Sequence, residues 1–233
     1  MKISIFTICT GKYTIFFEDF YKSCERFFLK DFEKTYYVFT DGDILTSDNI
    51  VRIQQDKLGW PYDTMMRFKM FNSIEDQLNS DYTFFFNINM LFLDNIGIEV
   101  LPKEENSYLV GVNHPCFFDK PNISFSYERN NKSLFYIPYG EGNFYYQGCF
   151  IGGRTNEFMY MSKVLEEKID NDLSNDIIPI WHDESALNWY YIDKNPLLMS
   201  PSYAYPESFN LNMDRKIIQR DKNLLGGHEF LRK

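Results

Sequence analysis

Along the first half of the chain, short β-prone apolar runs alternate with segments in which apolar residues recur at helical spacing. Residues 3–9 and 36–40 are short β-prone runs, and residues 51–53 are a third candidate strand. Between the first two runs, apolar side chains recur at helical spacing over residues 16–27. Asp41-Gly42 closes the second run with a turn signal. Strands that alternate with helices in this way predict an α/β fold with a mostly parallel sheet and helices packed on it.

The strand predicted over residues 82–86 is central to this pattern. Its residues are aromatic and β-prone throughout, which is typical of a strand covered on both faces of a sheet. A helix is predicted before it, with Asp63 or Thr64 as the cap. The apolar face of that helix consists of Met66, Met70, Ile74 and Leu78. After the strand, Asn87 and Asn89 direct two amides to the same side, where they are either ordinary turn residues or part of a ligand site at the sheet edge.

The second half of the chain is less regular and richer in turns. Its pattern predicts strands at residues 108–112, 144–151 and 177–180, and helices at residues 159–169 and 183–192. Residues 223–233 contain Gly226-Gly227 and are predicted to form a loop that is mobile without a ligand.

Composition and charge indicate a globular protein with one core and exclude some classes of partner. A chain of 233 residues with 44% hydrophobic content is long enough to bury one sizeable core, and no linker or repeat divides it. The net charge of -9 argues against a nucleic-acid partner and against general binding to anionic membranes. Residues 215–233, however, carry six basic and two acidic side chains. They form either a solvated terminus or a local clamp for an anion.

Cysteine usage and hydropathy indicate a cytoplasmic protein. Cys9, Cys24, Cys116 and Cys149 form no CxxC pair, which argues against a zinc site and against a disulfide framework. No apolar run reaches membrane-spanning length, and the N-terminus lacks the pattern of a signal peptide. We therefore expect no transmembrane segment, so that any association with an inner membrane is peripheral.

The sequence Trp181-His182-Asp183-Glu184-Ser185 carries the sharpest chemical signal, because it lies where a strand pattern passes into a helix pattern. In one interpretation, Asp183 caps the helix and Glu184 complements its dipole. In the other, a carboxylate held ionised at the helix start acts as a nucleophile or stabilises positive charge, and Trp181 stacks on a sugar ring. His114 is likewise either structural or a partner of a substrate hydroxyl. The residues alone indicate an α/β protein with a small-ligand site.

Seven short motifs add a resemblance to a known family. In chain order they are Tyr37-Val38-Phe39-Thr40-Asp41, Asn87-Ile88-Asn89, His114-Pro115, Phe125-Ser126-Tyr127-Glu128-Arg129, Ile137-Pro138, Glu141-Gly142-Asn143-Phe144-Tyr145-Tyr146 and Trp181-His182-Asp183-Glu184-Ser185. In this order they resemble family six of the glycosyltransferases, the family of the ABO blood-group transferases and α-1,3-galactosyltransferase. The chain is expected to correspond to the catalytic domain, in a short form similar to the bacterial members, without stem or membrane anchor.

The resemblance implies a GT-A fold, that is, a Rossmann-like mixed sheet with helices on both faces. It implies a single catalytic domain with a nucleotide-binding half at residues 1–90, an acceptor-binding half at residues 91–214 and a mobile basic tail at residues 215–233. Members of the family transfer galactose or N-acetylgalactosamine from a UDP-sugar to the 3-hydroxyl of a β-galactoside, fucosylated or not. The α-1,3 linkage forms with retention of anomeric configuration.

The same matching assigns roles to individual residues. Glu184 is the expected catalytic residue, facing the anomeric carbon. The residues expected to bind the acceptor are His114, Ser126, Trp181 and Glu184. The residues expected to bind the donor are Phe6, Thr7, Ile8, Tyr13, Trp60, Arg67, Asn87, Asn89, Gln147, Gly148, Cys149, Asp183, Lys222 and Arg232. Among these, Phe6, Ile8 and Tyr13 are expected at the uridine.

Departures from the family pattern carry further expectations. Vertebrate members bind manganese through Asp-x-Asp where this chain has Asn87 and Asn89, and neutral amides hold a hard divalent cation poorly. We therefore expect no metal cofactor, and we expect Lys222 and Arg232 to neutralise the diphosphate instead. The donor-selecting tripeptide is Gln147-Gly148-Cys149, in which the size of the cysteine alone favours galactose.

Two other functions are compatible with the sequence. One is a pseudoenzyme that binds a sugar or UDP-sugar, and the other is a UDP-sugar hydrolase. Retention of the motif at residues 181–185 together with Arg67 and Lys222 argues against a decayed site.

Overall fold

The structure is a computed structural model that describes residues 1–232, and ten strands form two sheets within them. The strands are β1 (Lys2–Ile8), β2 (Glu33–Thr40), β3 (Ile50–Gln54), β4 (Tyr82–Phe86), β5 (Met90–Phe92), β6 (Leu109–Asn113), β7 (Tyr146–Arg154), β8 (Leu197–Met199), β9 (Tyr205–Pro206) and β10 (Ile217–Gln219). The α-helices are α1 (Phe17–Phe27), α2 (Tyr62–Met65), α3 (Arg67–Asn72), α4 (Thr155–Ser174), α5 (Asp183–Tyr191) and α6 (Gly227–Leu231). Short 3-10 turns span Gly11–Phe16, Glu75–Gln77, Ile98–Val100, Glu104–Asn106, Asn122–Ser124, Pro201–Tyr203 and Lys222–Leu225.

The larger sheet is mixed, with the strand order β3-β2-β1-β4-β7-β6-β8. The four strands from the first half pair in parallel, as the alternation of strands and helices predicts. Strand β7 then runs antiparallel to both β4 and β6. Strands β5, β10 and β9 form the second sheet, in which β10 is the middle strand. Both the α/β class and the mixed sheet are therefore confirmed.

Helices cover both faces of the larger sheet because successive strand residues alternate between its faces. On one face, Phe84 and Phe86 of β4 pack in the cluster that contains Phe20 of α1. On the other, Phe85 lies in the cluster that contains Phe71 of α3 and Phe158 of α4. The strand pattern predicted over residues 82–86 is thus confirmed, including its burial on both faces.

The single helix predicted after Asp63 is wrong, because the segment divides into α2 and α3 at Met66. Asp63 does not cap it, since its Oδ1 accepts the main-chain N–H groups of Leu58 and Gly59 at 2.7 and 3.0 Å. The side chain of Arg67 donates from Nε to the Thr64 carbonyl at 3.1 Å, in place of a helical main-chain donor.

The strand predicted at residues 177–180 is also wrong. The N–H of Ile177 bonds to the Asp172 carbonyl at 2.9 Å, and the N–H of Ile180 bonds to the carboxylate of Glu128 at 2.6 Å. The main chain of this segment is therefore held by a helix end and an acidic side chain, and no strand pairs with it.

The segment expected to be a basic tail has regular structure over much of its length. Ile217 and Ile218 of β10 are buried in the second sheet. The loop predicted at residues 223–233 is instead a 3-10 turn followed by α6, joined by Gly226, whose φ of 92° favours glycine. Leu231 is fully buried and anchors α6. Lys233 lies outside the described residues, and the mobility of the segment stays a prediction.

Candidate active site

A continuous cleft lies beyond the carboxyl ends of β1 and β4. It consists of two adjoining cavities, which share Trp60, Thr64, Arg67 and Asn87. The first cavity is also lined by Ile8, Tyr13, Asn89, Lys222 and Arg232. The second is also lined by Gln147, Gly148, Cys149, Trp181, Asp183 and Glu184. The cleft therefore brings together all of the predicted site residues except four.

A buried ion pair stands where the two cavities meet. Arg67 Nη1 lies 2.9 Å from Asp183 Oδ2, and the same nitrogen donates to the Gly148 carbonyl at 2.6 Å. The guanidinium also covers the ring of Phe85, 4.4 Å from its centroid. These contacts fix the arginine against the first turn of α5. Its charge is thereby held at the floor of the cleft.

Gly148 brings the main chain of β7 into direct contact with both acidic residues. Its N–H donates to Glu184 Oε2 at 2.9 Å. A Cβ atom at this position would lie 2.7 Å from Asp183 Oδ2 and 3.7 Å from the Cβ of Glu184. Glycine is therefore required here by close approach, because any side chain would displace the ion pair.

Glu184 is partly exposed to the second cavity, and burial raises its pKa to about 7. The negative charge of Asp183 adds to the rise, whereas hydrogen bonds from the Gly148 N–H and the Tyr145 hydroxyl oppose it. The expectation that the helix start holds Glu184 fully ionised is therefore wrong.

The two asparagines after β4 have different environments. Asn87 borders both cavities, and its main-chain N–H bonds to the Cys149 carbonyl at 2.9 Å. Asn89 is buried and donates its side-chain amide to the Arg220 carbonyl at 3.0 Å. The second asparagine is therefore attached to the segment that carries Lys222.

Two cations from the end of the chain reach the first cavity. Lys222 Nζ lies 5.3 Å from the ring centroid of Tyr13, and the guanidinium of Arg232 lies 3.9 Å from that of Trp60. Burial lowers the pKa of Lys222 to about 8, and the charge of Arg232 lowers it further. A bound anion between these groups would relieve their repulsion.

The predicted acceptor residues are only partly in the cleft. Trp181 is 48% exposed and presents a ring to the second cavity. His114 and Ser126 line neither cavity, but both contact Tyr145: its ring centroid lies 5.6 Å from that of His114, and its hydroxyl bonds to the Ser126 carbonyl at 3.3 Å. Burial lowers the pKa of His114 to about 4, and its Nδ1 accepts the N–H of Cys116 at 3.0 Å. The imidazole is therefore neutral with its proton on Nε2.

Phe6 and Thr7, two of the predicted donor residues, have side chains that do not reach the cleft. The ring of Phe6 is fully buried among core aromatics, including Phe71 at a centroid distance of 5.2 Å. The hydroxyl of Thr7 is buried and donates to the Phe86 carbonyl at 3.0 Å. Any contact of these residues with a nucleotide has to use the main chain, because β1 directs both side chains into the core.

Tyr145 and Gln219 are site residues that the sequence did not reveal. The hydroxyl of Tyr145, which donates to the Ser126 carbonyl, opposes the rise in the pKa of Glu184, and the motif at residues 141–146 was the only signal for this residue. Gln219 bonds to Gln147 through both side-chain amides. Its local sequence contains no indication of this contact, since the two residues are 72 positions apart.

The comparison with known proteins agrees with this geometry. The model of glycosyltransferase family 6 matches residues 1–224. The chain belongs to this family. It is 40% identical over 226 residues to the O-antigen biosynthesis glycosyltransferase WbnI of Escherichia coli, covering 95% of each chain.

Vertebrate relatives within family 6 are longer than this chain. It is 33% identical to the rat histo-blood group ABO system transferase 1, an alignment that covers 88% of this chain and 60% of the relative. It is 31% identical to the chicken globoside alpha-1,3-N-acetylgalactosaminyltransferase 1, covering 89% and 62% respectively. Among residues 1–232, no helix combines the length and the apolar character that crossing a lipid bilayer requires.

Proposed function

We propose that this family 6 glycosyltransferase transfers galactose or N-acetylgalactosamine from a UDP-sugar to the 3-hydroxyl of a β-galactoside, with or without fucose, forming an α-1,3 linkage with retention. The observation that carries the proposal is that Glu184, the Arg67–Asp183 pair and Lys222 line one continuous cleft. The name of the chicken relative, globoside alpha-1,3-N-acetylgalactosaminyltransferase 1, supports the linkage and the type of sugar.

The donor is proposed to lie along the full length of this cleft. The uracil end belongs beside Ile8 and Tyr13 in the first cavity, and the diphosphate belongs between Lys222 and Arg232. The sugar then reaches the second cavity, where Arg67 and Glu184 are. This arrangement uses fixed cations where negative charge develops as UDP leaves.

Glu184 is proposed to act on the anomeric carbon once the donor is bound. It either attacks that carbon covalently or stabilises an oxocarbenium-like state during front-side transfer. Both roles require the ionised carboxylate. The N–H of Gly148 holds one carboxylate oxygen in place, while Trp181 offers a flat ring to the acceptor sugar.

The proposed reaction needs no divalent metal, because the residues present do not fit one. Asn87 and Asn89 offer neutral amides, and Asn89 already donates to the Arg220 carbonyl. Asp63, a carboxylate that lines the first cavity, accepts the main-chain N–H groups of Leu58 and Gly59. Lys222 and Arg232 supply positive charge in the same cavity.

Transfer can be tested directly. The purified protein is incubated with UDP-galactose or UDP-N-acetylgalactosamine, with lactose or 2′-fucosyllactose, in the presence of EDTA, and the product is analysed by NMR. An α-1,3-linked product is expected. Failure with both donors, in EDTA and again with added manganese, would overturn the transferase proposal. Activity that requires added manganese would instead overturn metal independence.

The same assay separates the two competing functions. A UDP-sugar hydrolase would release UDP at the same rate with and without acceptor. A pseudoenzyme would bind the donor in calorimetry and release no UDP. Acceptor-dependent release of UDP therefore distinguishes the transferase from both.

A further inference from the structure

A pair of glutamines lies at one wall of the second cavity, and Gln147 is the member of the pair that lines it. Gln147 is on β7 beside Gly148, and Gln219 is the last residue of β10. Gln219 Nε2 donates to Gln147 Oε1 at 2.9 Å, and Gln147 Nε2 donates to Gln219 Oε1 at 3.2 Å. The two side chains thus face each other through a reciprocal amide pair that joins the larger sheet to the smaller one.

The orientation of this pair is fixed from outside the cavity. Gln219 Nε2 also donates to the main-chain carbonyl of Ala204 at 2.7 Å, and Ala204 is fully buried. A carbonyl oxygen only accepts, so it must face the nitrogen of Gln219 rather than the oxygen. The oxygen of Gln219 then faces Gln147, and this determines which way round the amide of Gln147 lies.

One proton of Gln147 is left over by these contacts. Its Nε2 carries two protons, and one of them bonds to Gln219. Among residues 1–232, the second has no protein acceptor, and Gln147 lines the cavity that contains Glu184. The oxygen of Gln147 is occupied on its other side by the thiol of Cys149, at 3.4 Å. Gln147 therefore presents a donor N–H to a sugar in this cavity, and its acceptor oxygen is already used.

We propose that Gln219 is a positioning residue that sets donor-sugar selectivity by fixing the amide of Gln147. The inference rests on the proposed function, since it concerns the sugar of the UDP-sugar donor. Galactose and N-acetylgalactosamine differ only at C2, where one carries a hydroxyl and the other an acetamido group. An amide that is held in one orientation distinguishes these groups, because each offers a different acceptor at a different distance.

The test compares the two donors in four proteins. They are the wild type, Gln219→Met, Gln147→Met and the double variant. Methionine keeps an unbranched chain of similar length and removes the amide. The ratio of kcat/KM for UDP-galactose to that for UDP-N-acetylgalactosamine is measured in each protein, and the ratio of the two Kd values is measured by calorimetry.

We expect Gln219→Met to move both ratios at least five-fold towards unity. The double variant should match Gln147→Met alone, since Gln219 acts only through Gln147. Gln219→Asn, whose amide is one methylene too short to reach both partners, should relax selectivity in the same way. Tyr205→Phe is the matched control, because it removes hydrogen bonds between a residue of the second sheet and Leu211 and leaves the amide pair intact. Its unfolding temperature should fall while its donor ratio stays that of the wild type.

Several results would overturn the inference. One is that the wild type discriminates less than five-fold between the two donors. Others are that the donor ratio of Gln219→Met lies within two-fold of the wild-type ratio, or that the effects of the two substitutions on the ratio are additive in the double variant. If Gln219→Met does not fold, the donor ratio of Gln219→Asn is judged by the same criteria. If neither variant folds, a donor ratio in Gln147→Met equal to that of the wild type overturns the inference. Loss of transfer in the wild type would instead overturn the proposed function, and the Kd ratios would still test the pair.

Discussion

Asn89 is joined to Arg220 through both its main chain and its side chain. The Arg220 N–H donates to the Asn89 carbonyl at 2.8 Å, and the Asn89 side-chain amide donates to the Arg220 carbonyl at 3.0 Å. These bonds continue the pairing of Met90 with Gln219 by one further residue. They fix the point at which the chain enters the cleft, two residues before Lys222. The second amide of the motif after β4 therefore holds the cationic segment in place.

Replacing Asn89 with alanine should weaken the donor site without unfolding the protein. The main-chain bond to Arg220 remains, but the partly buried Arg220 carbonyl loses its partner, at a cost of about 1–2 kcal/mol. We expect kcat/KM for the UDP-sugar to fall about 5- to 30-fold, measured with EDTA present. Asn95→Ala, which removes an exposed amide nearby, is the control and should retain wild-type kinetics. Equal activity in both variants would contradict the role of Asn89.

The activity should have a narrow, bell-shaped dependence on pH. Glu184 must be ionised, and its pKa is raised to about 7, so activity is lost as the pH falls below about 7. Lys222 must be charged, and its pKa is lowered to about 8, so activity is also lost as the pH rises above about 8. The profile of kcat/KM reports these groups in the free enzyme.

A single substitution separates the two limbs of this profile. Lys222→Arg should keep the acidic limb and remove the alkaline one, because a guanidinium stays charged throughout. A profile that is flat between pH 6 and 9 in the wild type would exclude both assignments.

Glu184→Gln should inactivate the enzyme and stabilise the fold. Loss of the carboxylate should remove at least about 4 kcal/mol of transition-state stabilisation, roughly three powers of ten in rate. The folded state raises the pKa of Glu184 from 4.5 to about 7, so it binds more protons than the unfolded chain between these values. Its stability therefore falls as the pH rises through this window. The glutamine variant avoids the loss and should be about 2–3 kcal/mol more stable than wild type at pH 8, and no more stable at pH 4.

Thermal unfolding at both pH values measures this effect. Glu104→Gln is the control, because Glu104 is exposed and its replacement should leave both activity and stability unchanged. A Glu184→Gln protein with activity within a few-fold of wild type would rule out the catalytic role. A stability gain that is equal at pH 4 and pH 8 would rule out the electrostatic explanation.

Periodicity predicted the sheet well and the edges of the site poorly. The run at residues 82–86 is a strand because its aromatic residues fill both faces, and local sequence records that requirement. The break at Met66 is not predicted by the local sequence, because the Arg67 side chain that follows it is held by the Gly148 carbonyl and by Asp183, both far along the chain. The pKa of Glu184 likewise depends on burial by residues far away in the chain, so the helix dipole alone misled the prediction.

The C-terminal segment likewise could not be predicted from local sequence. Ile217 and Ile218 form too short a run to indicate a strand on periodicity, and they become one only because β5 and β9 lie on either side. The same long-range pairing brings Gln219 to Gln147. The contact between Gln219 and Gln147 is visible only in the structure, because no regular spacing in the sequence relates the two residues.

Asp183→Asn should destabilise the protein far more than the loss of a surface charge. It leaves Arg67 buried without its counter-ion, which typically costs about 3–5 kcal/mol. Asp170→Asn is a matched control, because it removes an aspartate from an ion pair with Lys69 whose side chains are about half exposed, worth less than about 1 kcal/mol. Denaturant unfolding at pH 7.5 measures both variants, and transfer assays below the unfolding transition should show a lower kcat/KM for Asp183→Asn alone. If the two variants lost equal stability, Arg67 would have to find another partner, and the carbonyl of Gly148 is the acceptor already within reach.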